Sequence, residues 1–152
     1  MATSTLIQSL DLTYTDGTSV GAGPSNRHQE ETFIAGGVIA IGDWVALDVT
    51  ASGASKAATV VEATVVATGN PLVVGVAKSA ATAAGQKVEV VVAGYVGTAN
   101  VAAGVAAGNP LAAAEAAAGV AGVADATSIV VHGVALSAEA SGVAAVFVWK
   151  KF

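Results

Sequence analysis

From Phe33 onward the chain is a succession of short runs rich in valine and isoleucine, each broken by glycine after four to eight residues. β-Branched side chains fit the pleated, half-buried surface of a sheet, and glycine marks the turns between strands. The runs are too short for helices of a bundle. Val38-Ile41, Trp44-Val49, Thr59-Val66, Leu72-Ala77, Lys87-Val92, Ile129-Leu136 and Val143-Trp149 therefore read as strands. Their number and spacing predict an all-β fold, a compact β-barrel or β-sandwich. One segment reads differently. Ala112 to Ala118 is alanine but for Glu115, and Gly119 follows it, so intrinsic propensity predicts one short helix with a glycine cap.

The first residues have another character. Met1 to Glu31 is rich in Thr, Ser, Asp, Gln and Asn, with turn signals at Asp16-Gly17 and at Gly21-Ala22-Gly23-Pro24. This composition divides the chain into an extended N-terminal arm over residues 1–35 and a β-domain over 36–152. Within the arm, Leu6, Leu10, Leu12 and Tyr14 lie on a loosely alternating stretch that can form a strand. That strand could join a neighbouring subunit's sheet edge or be the first strand of the same domain. Arg27-His28-Gln29-Glu30-Glu31 is the densest polar cluster and the one place where a specific polar contact is expected.

An internal echo organises the domain. Gly75-Val76-Ala77-Lys78-Ser79-Ala80 returns as Gly133-Val134-Ala135-Leu136-Ser137-Ala138, and a valine-rich strand follows each copy. Upstream of the first copy stands Ile41-Gly42-Asp43, and upstream of the second Ala107-Gly108-Asn109-Pro110. Gly42, Asp43, Gly108 and Asn109 are turn residues that tolerate positive φ or bond their own backbone, while Gly75 and Gly133 place small residues where strands pack closely. The spacings differ, 33 residues from Gly42 to Gly75 and 25 from Gly108 to Gly133. Two related halves of one domain are expected, rather than a solenoid.

Composition then bears on what such a domain does. Only 11% of residues are charged while 54% are hydrophobic, with 18 glycines interrupting them. A soluble monomer coats itself with about 25% charged residues, so part of this surface is expected to be an interface. Large permanent contacts between subunits are apolar and charge-poor. A net charge of −5 with scattered basic residues argues against direct nucleic-acid binding. The weakly polar stretch from Val90 to Ala124 carries six glycines, Pro110 and Glu115, which speaks against a membrane span. There is no cysteine, and no P-loop, Gly-x-Ser-x-Gly, dinucleotide fingerprint or His-x-x-x-His pair. Asp43, Asp48, Glu62 and Asp125 could hold a cation only if the fold gathered them. His28 and His132 are each isolated, which favours a surface or structural role. No cofactor, metal or catalytic residue is expected, and the chain does not read as an enzyme.

The order of these pieces resembles a known family. Ile41-Gly42-Asp43-Trp44-Val45, then Val73-Val74-Gly75-Val76-Ala77 through Gly85-Gln86-Lys87-Val88-Glu89-Val90 to Gly94-Tyr95-Val96, then Ala107-Gly108-Asn109-Pro110-Leu111, and last Gly133-Val134-Ala135-Leu136 resemble the bacteriophage head decoration, or capsid cement, proteins and related small phage proteins of unassigned function. The similarity runs from Gly36 to Trp149. It implies a β-rich homotrimer that binds the major capsid protein on the outside of an icosahedral head, is assembled in the host cytoplasm and works without catalysis. Another virion part, such as a tail or fibre subunit, is the alternative. On this reading Leu6, Leu10, Leu12, Tyr14, Arg27, His28, Trp149 and Phe152 are the candidate interface residues, with Trp149-Lys150-Lys151-Phe152 suited to an acidic surface.

Overall fold

The computed structural model describes residues 28–66, 69–126, 128 and 130–149. Nine strands run through them: β1 (Gln29–Ala35), β2 (Trp44–Leu47), β3 (Thr59–Glu62), β4 (Val73–Ala77), β5 (Lys87–Asn100), β6 (Pro110–Ala117), β7 (Val120–Val123), β8 (Gly133–Ala135) and β9 (Val143–Val148). They are hydrogen-bonded in the order β1-β3-β2-β4-β5-β9-β8-β6-β7, and β1 also pairs with β5. That extra pairing closes the first five strands into a barrel. The fold is all-β, and of the two expected architectures it is the barrel.

β5 joins two units. Its first half, Lys87 to Ala93, pairs with β1 and β4, and its second half, Gly94 to Asn100, pairs with β9. The second unit is thus the end of β5 with β9, β8, β6 and β7. It curls back on itself through a parallel bridge from Val101 to Ala121, with the Ala102 amide donating to the Ala121 carbonyl at 2.8 Å.

The registers show that the second unit repeats the first. Trp44 pairs Val76 and Val45 pairs Gly75, as Pro110 pairs Val134 and Leu111 pairs Gly133. Val91 and Val90 face Val76 and Ala77, as Phe147 and Val146 face Val134 and Ala135. The one parallel strand pair, β1 with β3 through Ala35 and Val60, has its counterpart in the Val101–Ala121 bridge. Hydrogen bonds outside the ladders repeat as well. Gly42 donates to Ala77 and Gly108 to Ala135, while Glu89 and Ala145 each donate to the hydroxyl of the matched serine, Ser79 or Ser137. The expected duplication is therefore a duplication of fold, in which the end of β5 plays for the second unit the part that β1 plays for the first.

Three expectations need correction. The alanine segment is not a helix: Ala112 to Ala117 lies in β6, hydrogen-bonded to β7, and Gly119, with φ of 65°, turns that hairpin instead of capping a helix. Helix propensity is a weak prior, and seven residues are too few to nucleate a stable helix alone. Tertiary packing decides instead, since Leu111, Ala112 and Ala113 are wholly buried. The end of the expected arm, Gln29 to Ala35, belongs to the domain as β1, with Phe33 and Ala35 pointing into the barrel. Val38-Ile41 is not a strand and keeps only a bridge from Ile39 to Ala81. The remainder of the arm, residues 1–27, lies outside the described residues.

Two apolar clusters fill the molecule. The first barrel encloses Phe33, Ile39, Val45, Val60, Val88 and Val90 among others. Four second-unit positions matched to this core are smaller: Ala99 stands for Phe33, Ala144 for Val88, Ala121 for Val60 and Ala113 for Leu47. The missing volume comes from the first unit. Trp44, Ala46, Val73 and Val76 face out of the first barrel and pack into the same cluster as Leu111, Ala113, Ala135, Val146 and Val148. β4 is buried along its whole length because each of its faces meets a different cluster.

Candidate functional site

Asp43 and His132, both singled out in the sequence, bridge the two units. Asp43 accepts from the Ala40 amide at 2.6 Å and from Asn100 Nδ2 at 2.8 Å, and Asn109 accepts from the Ala106 amide at 2.8 Å in the matching turn. Gly42 and Gly108 both have positive φ, 91° and 86°. Gly75 and Gly133 are needed for close approach, since a Cβ on either would collide with the backbone oxygen of Val91 or Phe147. Trp44 Nε1 donates to the Asn100 carbonyl at 3.1 Å, and the indole meets His132 edge to face at 6.3 Å between centroids. His132 Nδ1 accepts from the Ala113 amide at 3.0 Å, while Nε2 lies 2.9 Å from the Asn70 carbonyl. His132 is thus the structural histidine that its isolated place on a strand suggests.

Asp43 and Glu62 approach one another over Gly119, where a Cβ would lie 3.1 Å from Asp43 Oδ1 and 2.7 Å from Glu62 Oε1. Burial, and secondarily the Asp43 charge, push the Glu62 carboxyl above its ordinary value. Asp48 and Asp125 do not join them. Among the described residues no three His, Asp or Glu side chains gather as a metal site would need.

His28 sits beside β1, and its Nε2 lies 2.7 Å from Glu30 Oε1, with Lys78 Nζ 2.7 Å from Oε2. Both partners lower the Glu30 pKa, the His28 hydrogen bond most and Lys78 next. The group rims a shallow surface depression of about 200 Å³ that also touches Ile41 and Tyr95. Its polar atoms bond each other across an open surface.

The second unit carries the feature that reading along the chain does not reveal. Across its outer face, Tyr95 pairs Phe147, Phe147 pairs Val134, and Val134 pairs Pro110, which makes one cross-strand apolar row. Tyr95 is 58% exposed, Pro110 is exposed, and Val134 and Phe147 are half-buried. Leu136, 49% exposed, and Trp149, 46% exposed, flank the row. The matched row on the first unit is Glu30, Val91, Val76 and Trp44, and there Val91, Val76 and Trp44 are buried. Where the first unit places the Glu30–Lys78 ion pair, the second unit has Tyr95 and Leu136.

From Tyr95 to Trp149 the charged residues are Glu115, Asp125 and Glu139 alone, so the scarcity of charge is concentrated on this unit. Of the interface residues expected from sequence, Trp149 lies at the edge of this face and His28 in the ion cluster. Leu6, Leu10, Leu12, Tyr14, Arg27 and Phe152 are outside the described residues. No helix among the described residues is long and apolar enough to cross a membrane.

These observations define a class of fold, a fused pair of five-stranded β units that share one long strand and, among the described residues, leave one uncharged sheet face open. No protein-family model matches the chain, and no curated protein matches it.

Proposed function

We propose that this chain is a structural subunit of a bacteriophage particle, a decoration protein that binds the major capsid protein on the exterior of the icosahedral head as a trimer and reinforces the shell without catalysis. The observation that carries the reading is the uncharged outer face of the second unit, built from Tyr95, Pro110, Val134, Leu136 and Phe147 across paired strands. A contiguous apolar face of this kind marks an assembly surface. The order of glycine turns from Gly42 to Gly133, which resembles that of head decoration proteins, directs the assembly reading to the phage shell. Cementing requires many simultaneous contacts, which a multivalent subunit supplies cooperatively.

The test is co-sedimentation of the purified protein with expanded heads that lack their outer proteins, followed by heating. Saturable occupancy together with a raised temperature of shell disruption is expected. Failure to bind at micromolar concentration overturns the capsid reading. A tubular assembly formed by the protein alone directs it to the tail or fibre instead.

A further inference from the structure

A closed ring of three hydrogen bonds crosses from one unit to the other. The Asn70 amide donates to the Ala113 carbonyl at 3.3 Å, the Ala113 amide donates to His132 Nδ1 at 3.0 Å, and His132 Nε2 lies 2.9 Å from the Asn70 carbonyl. Asn70 belongs to the first unit, between β3 and β4, while Ala113 and His132 belong to the second. All three residues are buried. Gly69, with φ of 83°, lets the Asn70 loop come close, since a Cβ there would lie 3.2 Å from the Val130 carbonyl oxygen.

The ring fixes the protonation of the imidazole. Nδ1 accepts an amide hydrogen and so carries none of its own, which places the hydrogen of the neutral imidazole on Nε2, donating to Asn70. A second proton would have to sit on Nδ1, against the Ala113 N–H. The closed joint therefore accepts the neutral form, whereas an imidazole in water takes its second proton at about pH 6.5. The fold itself does not demand an ionisable group here. His132 precedes Gly133 as Val74 precedes Gly75, and Val74 is a buried member of the first core. Charged residues on the elements around the imidazole are Asp43, beside the Trp44 that meets it, Glu62, Glu115 two residues beyond Ala113, Asp125 on the connection from β7, and Lys150 beyond Trp149. Asp43 is bonded to Ala40 and Asn100, and Glu62 approaches it over Gly119.

We infer that His132 is an acid-sensitive pin of the joint between the units: a proton on its Nδ1 opens the ring with Asn70 and Ala113 and unseats the second unit from the first. The joint is closed at neutral pH and loosens in acid. An imidazole that takes no second proton in the closed joint and takes it freely in the open one makes opening about tenfold more frequent at pH 5.5 than at pH 7.5. Glu62 cannot supply this response, because burial favours its acid form and acid therefore steadies it. His28, the only other histidine, is exposed and lies away from the joint, in the ion cluster beside β1. The inference does not depend on the capsid reading, because it concerns the chain alone.

Amide hydrogen exchange of the full chain at pH 7.5 and pH 5.5, corrected for the exchange of free amides at each pH, tests this with His132→Gln and His28→Gln alongside. Glutamine keeps a donor and an acceptor and does not titrate. In the unaltered protein, opening at the Ala113 amide should rise about tenfold between the two pH values and exceed opening at Val88 in the first barrel. His28→Gln should behave as the parent does, and His132→Gln should open at Ala113 to the same extent at both pH values. Should His132→Gln fail to fold, the imidazole nitrogen spectrum of the unaltered protein decides together with its exchange: at pH 7.5 it should show hydrogen on Nε2 and a bare Nδ1. Four results each overturn the inference. They are hydrogen on Nδ1, opening at Ala113 that ignores pH, a tenfold rise that survives in folded His132→Gln, and equal opening at Ala113 and Val88 throughout.

Discussion

Removing the Trp44 ring should unseat the second unit more than the first. The side chain is fully buried, yet it faces out of its own barrel and packs with Leu111, Val146 and Val148, whose neighbours Ala99, Ala113, Ala121 and Ala144 are too small to fill that core. A buried tryptophan removes roughly 200 Å² from water, worth about 5 kcal/mol at about 25 cal/mol per Å². Measured Trp→Ala losses in cores are about 3–5 kcal/mol, and small domains are stable by only about 5–15 kcal/mol. Trp44→Ala is therefore expected to lose about 4 kcal/mol, which lowers the urea midpoint by about 2 M for a slope of about 2 kcal/mol/M. Trp44→Phe keeps most of the ring and loses the bond to Asn100, for about 1–2 kcal/mol. The only other tryptophan, Trp149, is a control on the same chain: it is 46% exposed, and Trp149→Ala should cost less than about 1 kcal/mol. The assay is urea unfolding followed by circular dichroism, with amide hydrogen exchange to locate the damage. Exchange should accelerate in β6 to β9 before it does in β1 and β3. A Trp44→Ala loss below about 1.5 kcal/mol, or faster exchange confined to the first barrel, would refute the claim that this ring fills the second unit.

Gly75→Ala and Gly133→Ala should each cost about 1–3 kcal/mol or more, because the new methyl group meets a backbone oxygen that cannot turn away, whereas Gly37→Ala, with nothing within 4 Å of its Cβ, should be nearly neutral in the same melting experiment. Glu62→Gln tests the partly buried carboxyl. A carboxylic acid raised above its unfolded value of 4.5 contributes stability that is fully present below that value and is lost as pH rises through the folded one. Glu62→Gln should therefore match the parent at pH 4 and melt at a higher temperature at pH 7, and an unchanged difference between the two pH values would contradict the assignment.

How far the sequence reveals the fold depends on what forces each element. Glycines 75 and 133 are legible because no other residue lets strands approach so closely, and their recurrence exposes the duplication without any structure. Core strands such as β4 and β9 are legible because valine has few alternatives to a sheet. β6 is not, since an alanine run reads as helix until neighbours on both sides decide otherwise. β1 is hidden by Gln29, Glu30 and Glu31, polar because that end of the strand is exposed, and only the alternation of Phe33 and Ala35 hints at it. The open face is hidden most thoroughly. Tyr95, Pro110, Val134 and Phe147 are scattered over half the domain, and only strand register brings them into one row.

The distribution of charge gives that row its meaning. A duplicated unit begins with two equivalent outer faces, and burying one of them beneath its twin would by itself leave the other free to become polar. Here the open face has the opposite character: its matched positions carry Tyr95 for Glu30, Leu136 for Lys78, Val143 for Lys87 and Ala145 for Glu89. Four charged positions on the first unit correspond to four uncharged ones on the second. A surface in permanent contact with water gains nothing from such exchanges, since exposed apolar area promotes indiscriminate association. A surface that spends its working life covered gains from each, because desolvating an unpaired charge costs more than burying an apolar side chain. On the proposed function the face is a layer that is buried in the assembled particle, and the four exchanges are what that proposal requires of it.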